Sequence, residues 1–216
     1  MKTTSSRIDV IQRIEQSGVI AVVRLTDGDA GRRLAAALID GGITAIEITM
    51  TVPRAVELIE DLSGAFPDAL IGAGTVIDPR TARDVIDAGA KFVVGPAFRP
   101  PMIEACLERG VPVMPGCFTP TEILAAWEMG ADIIKIFPSS ALGPGFIKDL
   151  RGPFPSIKMM PTGGITRDNT ADWIRAGAVA VGASTALVDP KAVQAERFDD
   201  ITANARAFIA AVRSAR

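Results

Sequence analysis

Lys135 stands in the run DIIKIF (132–137), with Ile133 and Ile134 before it and Ile136 and Phe137 after it; of the six lysines in the chain it is the one with apolar neighbours on both sides. Lys91 and Lys158 lie near strand entrances, Lys148 on a helix, and Lys2 and Lys191 in peripheral segments, where a charge stays solvated. Glu47 is its acidic counterpart. Among 25 Asp and Glu it alone sits in the middle of a strand-like run, between Ile46 and Ile48. A buried charge costs several kcal/mol unless it is paired or neutralised, so two of them in one core need a joint explanation. One explanation is a structural salt bridge. The other is a reactive pair: desolvation lowers the lysine pKa toward neutrality, the free amine attacks a carbonyl carbon, and the carboxylate shuttles protons.

The chain contains no His and no Tyr. A Ser-His-Asp or Cys-His site, a His-ligated zinc and a His or Tyr general acid are therefore out of reach. What remains is carboxylates, lysines, hydroxyls, thiols, backbone amides or an added cofactor. Of the two cysteines, Cys106 in PPMIEACLERG reads as a helix core residue and Cys117 in the PGC turn as a small residue beside the site. Neither has a histidine to activate it.

Two loops carry anion-binding chemistry. In PTGGIT (161–166), Gly163 and Gly164 let backbone amides approach a phosphate closely, and Thr166 is the expected N-cap of a helix starting near Arg167. GAST (182–185) offers further amides and the hydroxyl of Ser184. Other polar or rigid candidates close the neighbouring runs: Arg24, Thr75 in GAGT, Pro96, and PGC (115–117). Arg24 suits a substrate carboxylate or, equally, a surface salt bridge.

These residues have to be positioned by eight short apolar or β-branched runs: 19–24, 44–49, 69–74, 91–95, 111–115, 132–137, 157–161 and 178–182. Between them lie helix-period segments, many ending in Gly, and an opening helix covers about Ser6 to Gln16. Alternation of buried strands with helices over 216 residues predicts a single-domain (β/α)8 TIM barrel, residues 1–216, with an extra N-terminal helix; a doubly wound sheet is the alternative. Side chains alternate across a strand, so if Ile134 and Ile136 face the helices, Lys135 points inward with Ile133 and Phe137. The same parity turns Glu47 and Thr49 inward. In an eight-stranded barrel the second and sixth strands face each other, and active sites lie at the carboxyl mouth. Loops after the seventh and eighth strands often bind phosphate there.

Composition narrows the partners. With 23 Lys and Arg against 25 Asp and Glu, a net charge of −2 favours neither nucleic acid nor an anionic membrane. At 48% hydrophobic the chain fills a large core, yet no apolar run reaches the roughly 18 residues of a membrane span. The start MKTTSSRIDVIQRIEQSG has no uninterrupted apolar segment, so a cytoplasmic protein with reduced thiols is expected.

From GVIAVVR through GGITAIEIT, IGAGTV, GPAF, PGC, IIKIFPSSALGPGFIKDLRGPFP and MPTGGIT to VGAS, the chain resembles the bacterial 2-keto-3-deoxy-6-phosphogluconate (KDPG) and 4-hydroxy-2-oxoglutarate aldolases. These are class I, metal-independent lyases. The resemblance implies Lys135 as the Schiff-base lysine and Glu47 as the proton shuttle. It implies Thr162, Gly163, Gly164 and Ser184 around the phosphate, and Thr75 near the carboxylate. A phosphorylated keto-acid substrate and a homotrimer follow from it; a metal or cofactor does not, because the iminium itself is the electron sink. Many members carry an arginine four residues after the glutamate, where this chain has Thr51, which shifts carboxylate binding toward Arg24 and Thr75. A sister group acting on the galactonate epimer shares KIFPSSAxGPxxIK but usually has Val before the paired glycines, so Thr162 favours the gluconate epimer. Two rivals stand beside this reading. A phosphosugar isomerase or epimerase needs a second placed acid or a metal, and a silent barrel leaves the pairing of Lys135 with Glu47 without a purpose.

Overall fold

A computed structural model describes residues 6–26 and 30–216; the start of the opening segment, Lys2 included, lies outside it. Helix α1 (Arg7–Ser17) begins with a capping box, the Ser6 hydroxyl accepting from the Asp9 amide and the Asp9 carboxylate from the Ser6 amide; it ends on left-handed Gly18. Strand and helix then alternate: β1 (Val19–Val23), α2 (Gly31–Asp40), β2 (Ala45–Thr49), α3 (Ala55–Ala65), β3 (Leu70–Gly74), α4 (Pro79–Asp87), β4 (Val93–Val94), α5 (Pro100–Glu108), β5 (Val113–Met114), β6 (Gly116–Cys117), α6 (Pro120–Glu128), β7 (Ile134–Ile136), α7 (Pro144–Leu150), β8 (Met159–Pro161), α8 (Arg167–Arg175), β9 (Val181–Ala183), α9 (Pro190–Gln194) and α10 (Phe198–Ala215). Among the described residues no helix is long and apolar enough to cross a membrane.

Every strand pairing is parallel, in a curled α/β sheet of two parts, ordered β5-β4-β3-β2-β1-β9 and β6-β7-β8. This refines the eight expected runs in one respect. The fifth divides around Pro115, which has no N–H to donate to a ladder. The chain on both sides of that proline still serves the next strand, Asp132 N donating to Val113 O at 3.2 Å and Lys135 N to Pro115 O at 3.0 Å. At the other edge, Thr162 bridges Gly182 in parallel.

Strand parity separates two cores. Ile46, Ile48, Val93, Val113, Ile134, Ile136 and Val181 pack against the helices. Ile20, Ala45, Leu70, Phe92, Met114, Ile133, Met160 and Ala180 form a second cluster with Val10, Ile11 and Ile14 of α1, so the opening helix closes the amino ends of the strands. Two residues further along each strand on the same face come Val22, Glu47, Gly72, Lys135, Thr162 and Gly182. An apolar floor and a polar layer above it thus arise from the period of two alone.

Candidate active site

Among the described residues six polar or charged side chains are buried: Glu47, Thr49, Lys135, Ser139, Thr162 and Thr170. Thr170 is spent inside α8, its hydroxyl donating to Thr166 O at 2.7 Å. The other five come from the inward face of β2 and β7 and from the chain following β7 and β8. Burying polar groups is unfavourable, so their concentration at one end of the sheet needs a reason beyond packing.

Lys135 is 3% exposed, and its ammonium nitrogen lies 4.9 Å from the centroid of the Phe137 ring. Burial pushes its pKa down from the ordinary lysine value and the positive Arg24 pushes in the same direction, with Glu47 opposing. Glu47 is fully buried, and burial pushes its carboxyl up, against the pull of Lys135 and Arg24. Among the described residues neither carboxyl oxygen has a hydrogen-bond partner. Of the two explanations the sequence allows, a hydrogen-bonded salt bridge is therefore not formed among the described residues; the two groups feel each other's charge across a gap, and burial drives both toward their neutral forms. A neutral buried amine is a nucleophile, and a carboxyl with free oxygens within its electrostatic reach can exchange protons.

The sheet makes room for this pair. A β-carbon built on Gly74 would run into the Glu47 carboxyl, one on Gly72 into the Phe92 ring, and one on Gly182 into the Thr162 hydroxyl. Glycines inside strands mark close approach, a signal carried by GAG (72–74) and VGA (181–183), which the sequence alone shows as a strand end and a phosphate loop. Ser139 was also missed: its hydroxyl donates to Ile136 O at 2.6 Å and accepts from Thr162 N at 2.9 Å.

The remaining candidates fall around the same mouth. Arg24 follows β1, is exposed, and acts electrostatically on both Lys135 and Glu47. Thr75 is half-buried at φ 61°, a left-handed conformation unusual for a β-branched residue, and such strain gathers at functional sites. The backbone carbonyl of Pro96 takes the place that a side chain on Gly116 would fill, beside the backbone of Lys135. Gly163 and Gly164 have φ of 93° and 74°, and the capping box of Thr166 with Asn169 starts α8 at Arg167, where expected. Ser184 is half-buried, and its carbonyl accepts from Leu187 N and Val188 N, both at 2.8 Å. Thr51 is exposed, with its hydroxyl 2.7 Å from that of Thr49. Thr49 also lies 3.1 Å from Val23 O, and when its proton is on that carbonyl Thr51 donates to Thr49. Cys117 points away from this layer into the helix-facing core, its thiol pushed up to about 12 chiefly by burial, and Cys106 is buried in α5.

A parallel α/β sheet that holds a desolvated lysine and an unpaired carboxyl near its carboxyl mouth suits a carbon–carbon lyase working through an amine. A family model described as "Aldolase: KDPG and KHG aldolase" matches residues 10–204. The chain is similar to a 2-dehydro-3-deoxy-phosphogluconate aldolase of Treponema pallidum (strain Nichols), at 36% identity over 91% of this chain and 94% of that one. It is similar to a 2-dehydro-3-deoxy-6-phosphogalactonate aldolase of Escherichia coli (strain K12), at 39% identity over 78% and 83%. Its structure resembles that of the KDPG aldolase from Legionella pneumophila, in which pyruvate was captured as a covalent carbinolamine, with a TM-score of 0.87 and 33% identity over 96% of this chain and 99% of that one. The chain belongs to the KDPG and KHG aldolase family.

Proposed function

We propose that this protein is a class I aldolase that cleaves 2-keto-3-deoxy-6-phosphogluconate to pyruvate and glyceraldehyde 3-phosphate, with Lys135 as the Schiff-base lysine and Glu47 as the proton shuttle. The single observation that carries the reading is the buried, unpaired relationship between those two side chains. The neutral amine of Lys135 attacks the C2 ketone to give a carbinolamine, and loss of water gives an iminium that withdraws electrons from C3. Glu47 gives its proton to the hydroxyl that leaves as water and, now a carboxylate, removes the C4 hydroxyl proton. The C3–C4 bond breaks, its electron pair moves into the iminium as an enamine, and glyceraldehyde 3-phosphate leaves. Protonation at C3 and hydrolysis release pyruvate and restore the amine.

In this reading the phosphate lies against Gly163, Gly164 and Ser184. The amides of Gly163 and Gly164 donate to no backbone acceptor among the described residues, which leaves them available to an anion. Arg24 and Thr75 take the substrate carboxylate, Phe137 and Pro96 form walls, and the Thr162 hydroxyl meets the C4 hydroxyl. Activity on 4-hydroxy-2-oxoglutarate, which has no phosphate, accompanies the main reaction at lower efficiency. The test is pyruvate release from purified KDPG, unchanged by EDTA; absence of release, or its loss on chelation, refutes the reading.

A second reading has its own support. The 39% identity to the galactonate aldolase keeps the galactonate epimer in play, and kcat/KM measured on both epimers decides between them. We also infer that the two sheet parts are arcs of one (β/α)8 barrel, on the support of the hydrogen bonds around Pro115 and the bridge from Thr162 to Gly182. A homotrimer is the assembly that the family resemblance implies, and the mass of the native particle tests it.

A further inference from the structure

Ser139 follows the lysine strand by three residues and opens the 3-10 turn Ser139–Ala141. It is fully buried. Its hydroxyl donates to Ile136 O at 2.6 Å and accepts from Thr162 N at 2.9 Å, while its own amide donates to Thr162 O at 2.9 Å. Both backbone polar groups of Thr162 are thus held by one residue of the neighbouring crossover. The Thr162 hydroxyl is left as that residue's one polar group without a partner among the described residues, packed against Gly182 on the inward face. The proton of Ser139 is committed to Ile136 O, so it is not available as a nucleophile's or an acid's proton.

We propose that Ser139 is a positioning residue that fixes the Thr162 hydroxyl relative to the Lys135 amine and thereby sets recognition of the substrate's C4 hydroxyl; this rests on the aldolase reading above. The linkage is short: Ile136 is covalently next to Lys135, and Thr162 is clamped to Ile136 through Ser139. Thr162 N also donates to Ile136 O directly, at 3.0 Å. Removing the Ser139 hydroxyl therefore orphans no buried backbone group, which predicts a folded variant with a loosened turn. Displacement of a reacting group by as little as about 1 Å can lower a rate up to about 10²-fold.

The experiment compares wild type with Ser139→Ala. Three quantities are read: the rate of borohydride trapping with pyruvate, kcat and KM on the gluconate and galactonate epimers, and amide exchange in the peptide covering residues 160–164. Pyruvate has no C4 hydroxyl, so its trapping should stay within about twofold, while kcat on the preferred epimer falls roughly tenfold, KM changes little and the ratio between epimers narrows. Exchange in the 160–164 peptide should quicken while the rest of the chain keeps its protection. Unchanged exchange and an unchanged epimer ratio overturn the proposal. So does a parallel fall in trapping and cleavage, which makes Ser139 a support of the lysine strand as a whole. Failure of wild type itself to trap pyruvate refutes the aldolase reading, and this proposal with it.

Discussion

The carboxyl of Glu47 occupies the place where the β-carbon of residue 74 would stand in any residue but glycine. The two lie on adjacent strands, Glu47 opposite Gly72 and leaning along the strand toward Gly74. Gly74→Ala is therefore expected to push the carboxyl aside. Overpacking of this kind costs about 1–3 kcal/mol, seen as a lowered Tm, and displacement of the proton shuttle should lower kcat at least about tenfold. Turnover and melting of the purified variant check both, and near-normal turnover contradicts the placement of Glu47.

Replacing Glu47 by Gln keeps the shape and removes the base. General acid–base steps contribute about 10²–10⁴ in rate, so turnover should drop by that order while pyruvate is still trapped, more slowly. Near-normal turnover in Glu47→Gln refutes the proton-shuttle role.

The same variant carries a stability prediction with a sign. Burial raises the folded-state pKa of Glu47 above its unfolded value, so the stability linked to its protonation is present below the ordinary carboxylate range and lost as pH rises through the raised value. Gln has no such loss. Glu47→Gln should gain in Tm over wild type as pH rises above about 4.5, each tenfold difference in proton affinity being worth about 1.4 kcal/mol. A destabilised Gln variant at neutral pH would instead mean that Glu47 is a charged partner of Lys135.

For Lys135 the sign reverses. Its folded-state pKa is lowered by burial, so its linked stability is present above the ordinary lysine range and lost as pH falls through the lowered value. Lys135→Met should therefore be inactive yet more stable than wild type at neutral pH. The rising limb of the wild-type kcat/KM profile should fall below the ordinary lysine value near 10.4. Thermal melts and the pH profile test these; a limb near that ordinary value contradicts a desolvated amine.

Thr162→Val deletes the unpartnered hydroxyl at nearly constant volume. A site built to hydrogen-bond a substrate hydroxyl loses roughly 1–3 kcal/mol per broken contact. Activity on the gluconate epimer should fall more than on the galactonate epimer, with Lys135 still trapping pyruvate. An equal fall for both makes Thr162 a packing or phosphate-loop residue.

Much of this layer was legible in the chain because the period of two is a local property. Ile134 and Ile136 on either side of Lys135, and Ile46 and Ile48 on either side of Glu47, already sort the charged residues to the opposite face. The cap at Thr166 was equally local. What depends on contacts between distant segments was not legible. Gly74 reads as an ordinary strand end until Glu47 is placed across from it, and Ser139 reads as a turn serine until its hydroxyl is seen to hold Thr162. The break at Pro115 needed the neighbouring strands, because losing one N–H matters only where a ladder requires it.

The most direct test of the central claim is borohydride reduction of wild-type protein incubated with pyruvate, followed by peptide mapping. One stoichiometric adduct is expected, on Lys135, in the peptide that also contains Ile136 and Phe137, and no adduct in Lys135→Met. A label on Lys91 or Lys158 in place of Lys135, or no label at all in a protein that cleaves KDPG, would contradict it.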